Sequence, residues 1–193
     1  QSGAVSAMAS VTVAQTAASI TLAPTSLIMT PVGDTATFVP TVKDAGGSTI
    51  VGATVMWTTS SSSVATISSA GTVTSGANGT ATITATSGSL TATASVTVAQ
   101  VAATLALSES TLTFVSLAET TQLTATVTDV NGATISGATV TWSSSAASVA
   151  TVSSTGLVTS VADGTATITA TSGSGSATAT VTVAQAATGV SLS

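Results

Sequence analysis

The sequence predicts an all-β protein built from two small β-sandwich domains in tandem, and three observations carry that prediction. The segment Val-Thr-Val-Ala-Gln stands at residues 11–15 and returns unchanged at 96–100 and 181–185, a spacing of 85 residues each time. Apolar side chains alternate with Thr and Ser at a period of two, the spacing of a half-buried strand. No stretch sustains a 3.6-residue period, and Thr, Val and Ser, which are weak helix formers, dominate throughout. A period of 85 is too long for a solenoid repeat and suits one independently folding domain per unit.

The register holds across the whole unit. Trp57 corresponds to Trp142, Gly52 to Gly137, Asp44 to Asp129, Gly71 to Gly156 and Gly79 to Gly164, with no insertion between them. The expected domains are therefore residues 16–100 and 101–185. Residues 1–15 match the end of a unit, as the last strand of a preceding repeat or as a donor strand, and residues 186–193 match the first strand of a following one.

Taken in order, the first clear strand is 35–42, with Ala36, Phe38, Pro40 and Val42 on one face; its second-unit counterparts are Thr121, Leu123, Ala125 and Val127. A strand over 53–59 turns Val55 and Trp57 inward. One over 79–86 does the same with Ala81, Ile83 and Ala85, and a last strand follows at 91–98 in the first unit and at 176–183 in the second. A further copy of that last strand is expected at 6–14. The predicted core is Phe38, Trp57 and Ile83 in the first unit and Leu123, Trp142 and Ile168 in the second.

Turn chemistry separates these strands. Asn78-Gly79 and Asp163-Gly164 are pairs that tolerate positive φ at both central positions of a type I′ turn, so they are expected to close β-hairpins. Asp44-Ala-Gly-Gly and Asp129-Val-Asn-Gly combine an Asx-type turn start with glycine, and Gly71 and Gly156 follow Ser-Ser-Ala and Ser-Ser-Thr.

The run from Val140 to Gly173, with Trp-Ser-Ser-Ser at 142–145, Ser-Val-Ala-Thr-Val at 148–152, Gly-Leu-Val-Thr at 156–159 and Gly-Thr-Ala-Thr-Ile-Thr-Ala at 164–170, resembles the group 2 bacterial immunoglobulin-like domain. Residues 55–88 resemble it too. The resemblance implies immunoglobulin-like sandwiches arranged end to end, of the kind found in surface proteins, adhesin stalks and phage structural proteins. It also implies a buried Trp on the third strand, here Trp57 and Trp142, without the disulfide that often braces such a core. Where many relatives carry an acidic residue after Trp-Ser-Ser-Ser, this chain has Ala146.

Composition then removes whole classes of function. Charged residues make up 4% of the chain and Lys43 is the only basic one, so no run of phosphates can be neutralised; nucleic-acid binding and electrostatic membrane contact are not expected. Every apolar stretch is broken by Thr, Ser or Gly well before the roughly 18 residues a membrane helix needs, so no membrane insertion is expected. Residue 1 is Gln, with no basic and apolar leader before it, which fits a processed chain or a fragment.

The inventory for catalysis is poor. There is no His, Cys or Tyr, so the many Ser and Thr hydroxyls lack a base to activate them, and no enzyme is expected. Six carboxylates remain: Asp34, Asp44, Glu109, Glu119, Asp129 and Asp163. Calcium favours such oxygen ligands, but Asp44 and Asp129 read as turn starters and Asp163 as a turn residue equivalent to Asn78, so no metal or other cofactor is expected. Asn78-Gly79-Thr80 matches the N-glycosylation pattern, although its turn role already accounts for it. O-linked glycans on the Thr-rich faces would help a nearly uncharged β surface stay in solution.

The stretch from 98 to 105, Val-Ala-Gln-Val-Ala-Ala-Thr-Leu, contains neither Gly nor Pro, and so short a linker restricts hinge motion. With strands of about 8 to 10 residues at roughly 3.3 Å each, a unit reaches about 30 to 40 Å. The expectation is an extracellular or surface structural protein of a cell or virion: a stalk, sheath or filament whose partners are neighbouring copies or units of itself. The alternatives are a filament subunit that polymerises by strand exchange through its N-terminal strand, and, third, an adhesin module that binds a glycan or host protein.

Overall fold

The computed structural model describes residues 15–186, and every regular element among them is a strand. The expected strand at 6–14 and nearly all of the first-strand fragment at 186–193 lie outside the described residues. The chain divides into two compact units, and each sheet draws its strands from one repeat.

The first repeat runs β1 (Ala17–Ala23), β2 (Ser26–Met29), β3 (Thr35–Thr37), β4 (Val39–Asp44), β5 (Met56–Thr59), β6 (Ala65–Ile67), β7 (Thr72–Ser75), β8 (Gly79–Ser87) and β9 (Leu90–Val98). The second runs β10 (Thr104–Leu107), β11 (Thr111–Phe114), β12 (Thr120–Gln122), β13 (Ala125–Thr128), β14 (Thr141–Ser144), β15 (Ala150–Val152), β16 (Leu157–Ser160), β17 (Gly164–Ser172) and β18 (Gly175–Val183). Both repeats have the same topology. A four-stranded sheet, β2-β9-β8-β5 or β11-β18-β17-β14, is joined by a three-stranded one, β3-β7-β6 or β12-β16-β15, and by a two-stranded one, β1-β4 or β10-β13. The β11–β18 pair is parallel, while β14–β17 and β17–β18 are antiparallel.

The alternation of small apolar residues with Thr is what makes β8 and β17 central strands. In β17, Ala166, Ile168 and Ala170 are buried and the intervening positions are all Thr. Threonine is β-branched and favours extended backbone, so both faces of the strand support the same conformation. The core of the second repeat gathers Leu112, Phe114, Leu123, Val158, Ile168 and Val181. Beside it lies a smaller cluster of Leu105, Val127 and Ala170. Each fully buried Ile, Leu or Val contributes about 1.5–3 kcal/mol.

Three sequence expectations need correction. The expected strand at 35–42 is two strands: β3 pairs with β7, whereas β4 pairs with β1. Phe38 sits at the crossing, fully buried, with its N–H donating to Gly71 O at 2.9 Å; Leu123 repeats this with Gly156 O at 3.0 Å. The inward pattern runs unbroken through the crossing because it reports which face is buried, not which strand the backbone pairs with. The strand expected at 53–59 begins only at Met56.

Second, Asn78-Gly79 and Asp163-Gly164 do not close hairpins. The strands they join, β7 to β8 and β16 to β17, belong to different sheets, and of each pair only the glycine has positive φ, 144° at Gly79 and 141° at Gly164. The tight hairpin lies one strand later. In the second repeat Ser172 pairs with Gly175, leaving Gly173-Ser174 as a two-residue loop with Gly173 at φ 55°, the Gly-first signature of such turns.

Third, the tryptophans are not the buried centre of each core. Trp57 and Trp142 are half-buried, while Phe38, Leu123, Ile83 and Ile168 are fully buried. Trp142 packs on the margin of both second-repeat clusters and so joins them.

Candidate functional site

Asp44 and Asp129 are spent on turns. In the first repeat Asp44 Oδ1 accepts the N–H of Ser48 at 2.9 Å, and Gly47 N–H donates to Asp44 O at 3.0 Å. In the second, Asp129 Oδ1 accepts from Asn131 at 3.0 Å and from Ala133 at 2.9 Å. A carboxylate that gathers backbone donors in this way closes an Asx-type turn, as the sequence predicts.

The other oxygen of each aspartate has a second use. Gln15 Nε2 donates to Asp44 Oδ2 at 2.9 Å, and Gln100 Nε2 donates to Asp129 Oδ2 at the same distance. The glutamine that ends the Val-Thr-Val-Ala-Gln segment is thus tied by its amide to an aspartate 29 residues ahead, twice in the same register. Its backbone is held as well: Gln100 N–H donates to Asn78 Oδ1 at 2.6 Å, and Gln185 N–H to Asp163 Oδ1 at 3.0 Å. Asn78 and Asp163 therefore act by their side-chain oxygens, each fastening the glutamine that follows its own last strand.

These bonds stabilise the ionised carboxylates. The Gln15 amide, followed by the Ser48 N–H, lowers the pKa of Asp44, and the Gln100 amide, followed by the Val32 N–H and then the turn N–H groups of Ala133 and Asn131, does the same for Asp129. Glu119 is lowered by the Ser116 hydroxyl and by the N–H groups of Val115 and Ser116. Favouring the charged form in this way is the expected effect of donors aimed at a carboxylate.

A buried serine completes the turn network, and sequence reasoning missed it. Ser160 Oγ donates to Ser116 O at 2.9 Å and accepts from Glu119 N–H at 3.0 Å. Ser75 repeats this with Pro31 O at 2.8 Å and Asp34 N–H at 3.0 Å. The signal was present: Thr-Ser at 74–75 and at 159–160 ends β7 and β16 in equivalent positions. A chain so rich in Ser gave no reason to single these two out.

Chemistry beyond hydrogen bonding has little to work with. Among the described residues no three His, Cys, Asp or Glu side chains gather into a group that could hold a metal ion. Glu109 and Asp163 are exposed, and Glu119 is engaged by its own loop. The second repeat has a shallow recess of about 320 Å³ where Trp142 shows an edge beside Gln122, Thr124, Ser154 and Thr155. Gln122 Nε2 spans it by donating to Leu123 O at 2.8 Å and Thr155 O at 2.7 Å. No helix among the described residues is long and apolar enough to cross a membrane.

A family profile agrees with the all-β reading of two tandem domains. The sequence profile of the bacterial Ig-like domain (group 2) matches residues 16–98 and again 102–183. No curated protein sequence gives a significant match. Among solved structures the chain is similar to surface layer protein SbsC, domains 1–6, with 23% identity and a TM-score of 0.43, covering 90% of this chain and 29% of that one. It is also similar to the Escherichia coli adhesin FdeC, at 21% identity and a TM-score of 0.43 over 89% of this chain and 67% of that one. The Yersinia pseudotuberculosis adhesin InvE gives 15% identity and a TM-score of 0.40 over 86% and 58%. The chain thus spans less than a third of the length of the surface layer chain it resembles. With the profile matching both repeats almost end to end, the chain belongs to the bacterial Ig-like domain (group 2) family as a tandem pair of all-β Ig-like domains.

Proposed function

We propose that the chain is a structural spacer of a surface-exposed protein, a segment of a stalk, sheath or filament in which repetition supplies reach. The observation that carries this reading is the glutamine fastening. Gln15 and Gln100, the residues just ahead of 16–100 and 101–185, each bond an aspartate of the first Asx turn that follows, and the stretch from β9 to β10 contains neither Gly nor Pro. Linker residues held by hydrogen bonds and lacking flexible types favour continuity over hinging. His, Cys and Tyr are absent from the composition and Lys43 is its only basic residue, which fits a mechanical role. The partners of such a protein are copies or units of itself, and O-linked sugars on its Thr faces are the modification that suits so weakly charged a surface.

Electron microscopy of the native material, with intact mass on the same preparation, tests the reading. A chain much longer than 18.1 kDa that contains these residues and forms stalks supports a covalent spacer. A soluble intracellular monomer overturns it. A mass equal to the bare polypeptide removes the glycans.

A second reading is a filament subunit that polymerises by strand exchange, favoured by the recurrence of the last-strand sequence at residues 11–15. An extended segment added to a neighbour's sheet is an established mode of assembly. Both repeats already carry their own last strand, β9 and β18, so a donor would dock on an exposed sheet edge or displace one of them. Deleting residues 1–15 separates the two readings: both domains stay folded in either case, and polymer is lost only under strand exchange. The adhesin reading has only the recess beside Trp142 in its favour.

A further inference from the structure

The recess beside Trp142 lies along the stretch where the chain leaves β12 for β13. Its floor is apolar, from half-buried Val140 and Trp142, and its rim is polar, from Gln122, Thr124, Ser154 and Thr155, all four exposed. No charged side chain lines it. Its volume of about 320 Å³ stands at the small end of the range common for small-molecule sites, about 300–1,000 Å³.

Two polar groups here are not used by the fold. Gln122 Nε2 donates to Leu123 O and to Thr155 O, which leaves Oε1 as an acceptor. The indole N–H of Trp142 has no acceptor among the described residues, and every buried polar side-chain atom among them has a partner, so this N–H reaches solvent. The ring edge that carries it, marked by Cε2 and Cζ2, lies against Gly156, the chain neighbour of Thr155.

The first repeat supplies a comparison. Thr37, Val39 and Ala70 stand there in place of Gln122, Thr124 and Thr155, and Pro40 in place of Ala125. The amide and two rim hydroxyls are lost while Trp57 is kept. The tryptophan is thus common to both repeats, and the polar rim belongs to the second.

We propose that the second repeat holds a neutral hexopyranose in this recess, as a free sugar or as a ring within a glycan chain. Trp142 N–H, Gln122 Oε1 and the hydroxyls of Thr124 and Thr155 are its hydrogen-bonding groups. A sugar ring packs its C–H face on apolar surface while its hydroxyls both donate and accept. An anionic ligand would find no cation here, since no charge lines the site. The inference goes beyond the spacer reading and does not depend on it.

Nuclear magnetic resonance on the nitrogen-15-labelled full chain, with both indole N–H resonances assigned, tests the proposal. Glucose, galactose, N-acetylglucosamine and cellobiose are each titrated to about 50 mM, past the millimolar dissociation constant expected of so shallow a site. At least one should move the Trp142 indole resonance along a saturating curve and leave that of Trp57 in place. Response to a free hexose supports a single bound ring, and response to cellobiose alone supports a ring within a chain. Glycerol, which has hydroxyls but no ring, and glucuronic acid, which adds a charge, are the controls. No saturable movement with any neutral sugar, equal movement of both indoles, or full reproduction of the effect by either control overturns the proposal.

Exchanging the rim for that of the first repeat, with Gln122→Thr, Thr124→Val and Thr155→Ala together, should weaken binding by about tenfold or more. Thr124→Val alone removes an exposed hydroxyl that bonds nothing within the described protein, so it keeps the fold and should weaken binding severalfold. Either variant, folded and binding as tightly as the parent, overturns the assignment. No outcome touches the spacer reading, which microscopy of the native protein decides.

Discussion

A Cβ added to Gly156 would stand 2.8 Å from Trp142 Cζ2 and 2.5 Å from Leu123 O, at a φ of 87°. The first repeat repeats the arrangement, with Gly71 against Trp57 Cζ2 at 3.0 Å and Phe38 O at 2.6 Å. The indole occupies the space that a side chain would need. The chain also crosses between sheets here, because Leu123 N–H donates to Gly156 O. One glycine therefore serves a turn, a tryptophan and a change of sheet.

Gly156→Ala should accordingly cost about 2–4 kcal/mol, the strain of positive φ plus the displaced indole. Gly132→Ala, at φ 81° but with open space around its Cβ, should cost only about 1 kcal/mol. Urea unfolding of both variants measures the difference. Equal losses would show that the indole contact contributes nothing.

Ile168 is fully buried in the second-repeat core. Ile168→Ala should lose about 2–5 kcal/mol and Ile168→Val about 0.5–1.5 kcal/mol. Thermal melts followed by circular dichroism can rank them, and a loss below 1 kcal/mol for the alanine variant would mean that the core relaxes around the hole.

Ser160→Ala removes the hydroxyl that both donates to Ser116 O and accepts from Glu119 N–H. Leaving those two backbone groups without this partner should cost about 1–3 kcal/mol. Faster hydrogen exchange of the Glu119 amide is the local signature, and unchanged protection would contradict the assignment.

Acid should weaken the protein through its turn carboxylates. Asp44, Glu119 and Asp129 have folded-state pKa values below their ordinary ones, so their contribution is complete above about pH 5. It is lost as pH falls through the folded values. The melting temperature should be flat from pH 7 to 5 and decline below about pH 4. A variant with Asp44→Asn, Glu119→Gln and Asp129→Asn should show a shallower decline; an identical acid profile would exclude these groups as its source.

Much of this was legible in the residues, for reasons that particular positions make plain. Ala81, Ile83 and Ala85 alternate with Thr, and they are buried as the alternation requires. Asp44 and Asp129 start Asx turns because an aspartate followed by glycine carries its own acceptor and its own permissive backbone. Asn78-Gly79 misled because the pair reports local backbone tolerance, while hairpin closure depends on whether the flanking strands share a sheet. Trp57 and Trp142 misled because residue size does not say how far from the centre of a core a residue stands.

The sequence by itself determined the repeat, the all-β class, the family and the buried face of strands such as β8, whereas β1, β2, β6 and β7 went unread. Those properties are local or periodic: side-chain period and turn chemistry act over a few residues, and identity at a fixed spacing needs no coordinates. Only the tertiary structure decided where Phe38 and Leu123 pass from one sheet to another, which loop Ser160 pins, and that Gln100 reaches an aspartate 29 residues away. Each of these is a meeting of groups distant in the chain, and hydrogen bonds of that kind are chosen by the packing of whole sheets, which no short window of sequence contains.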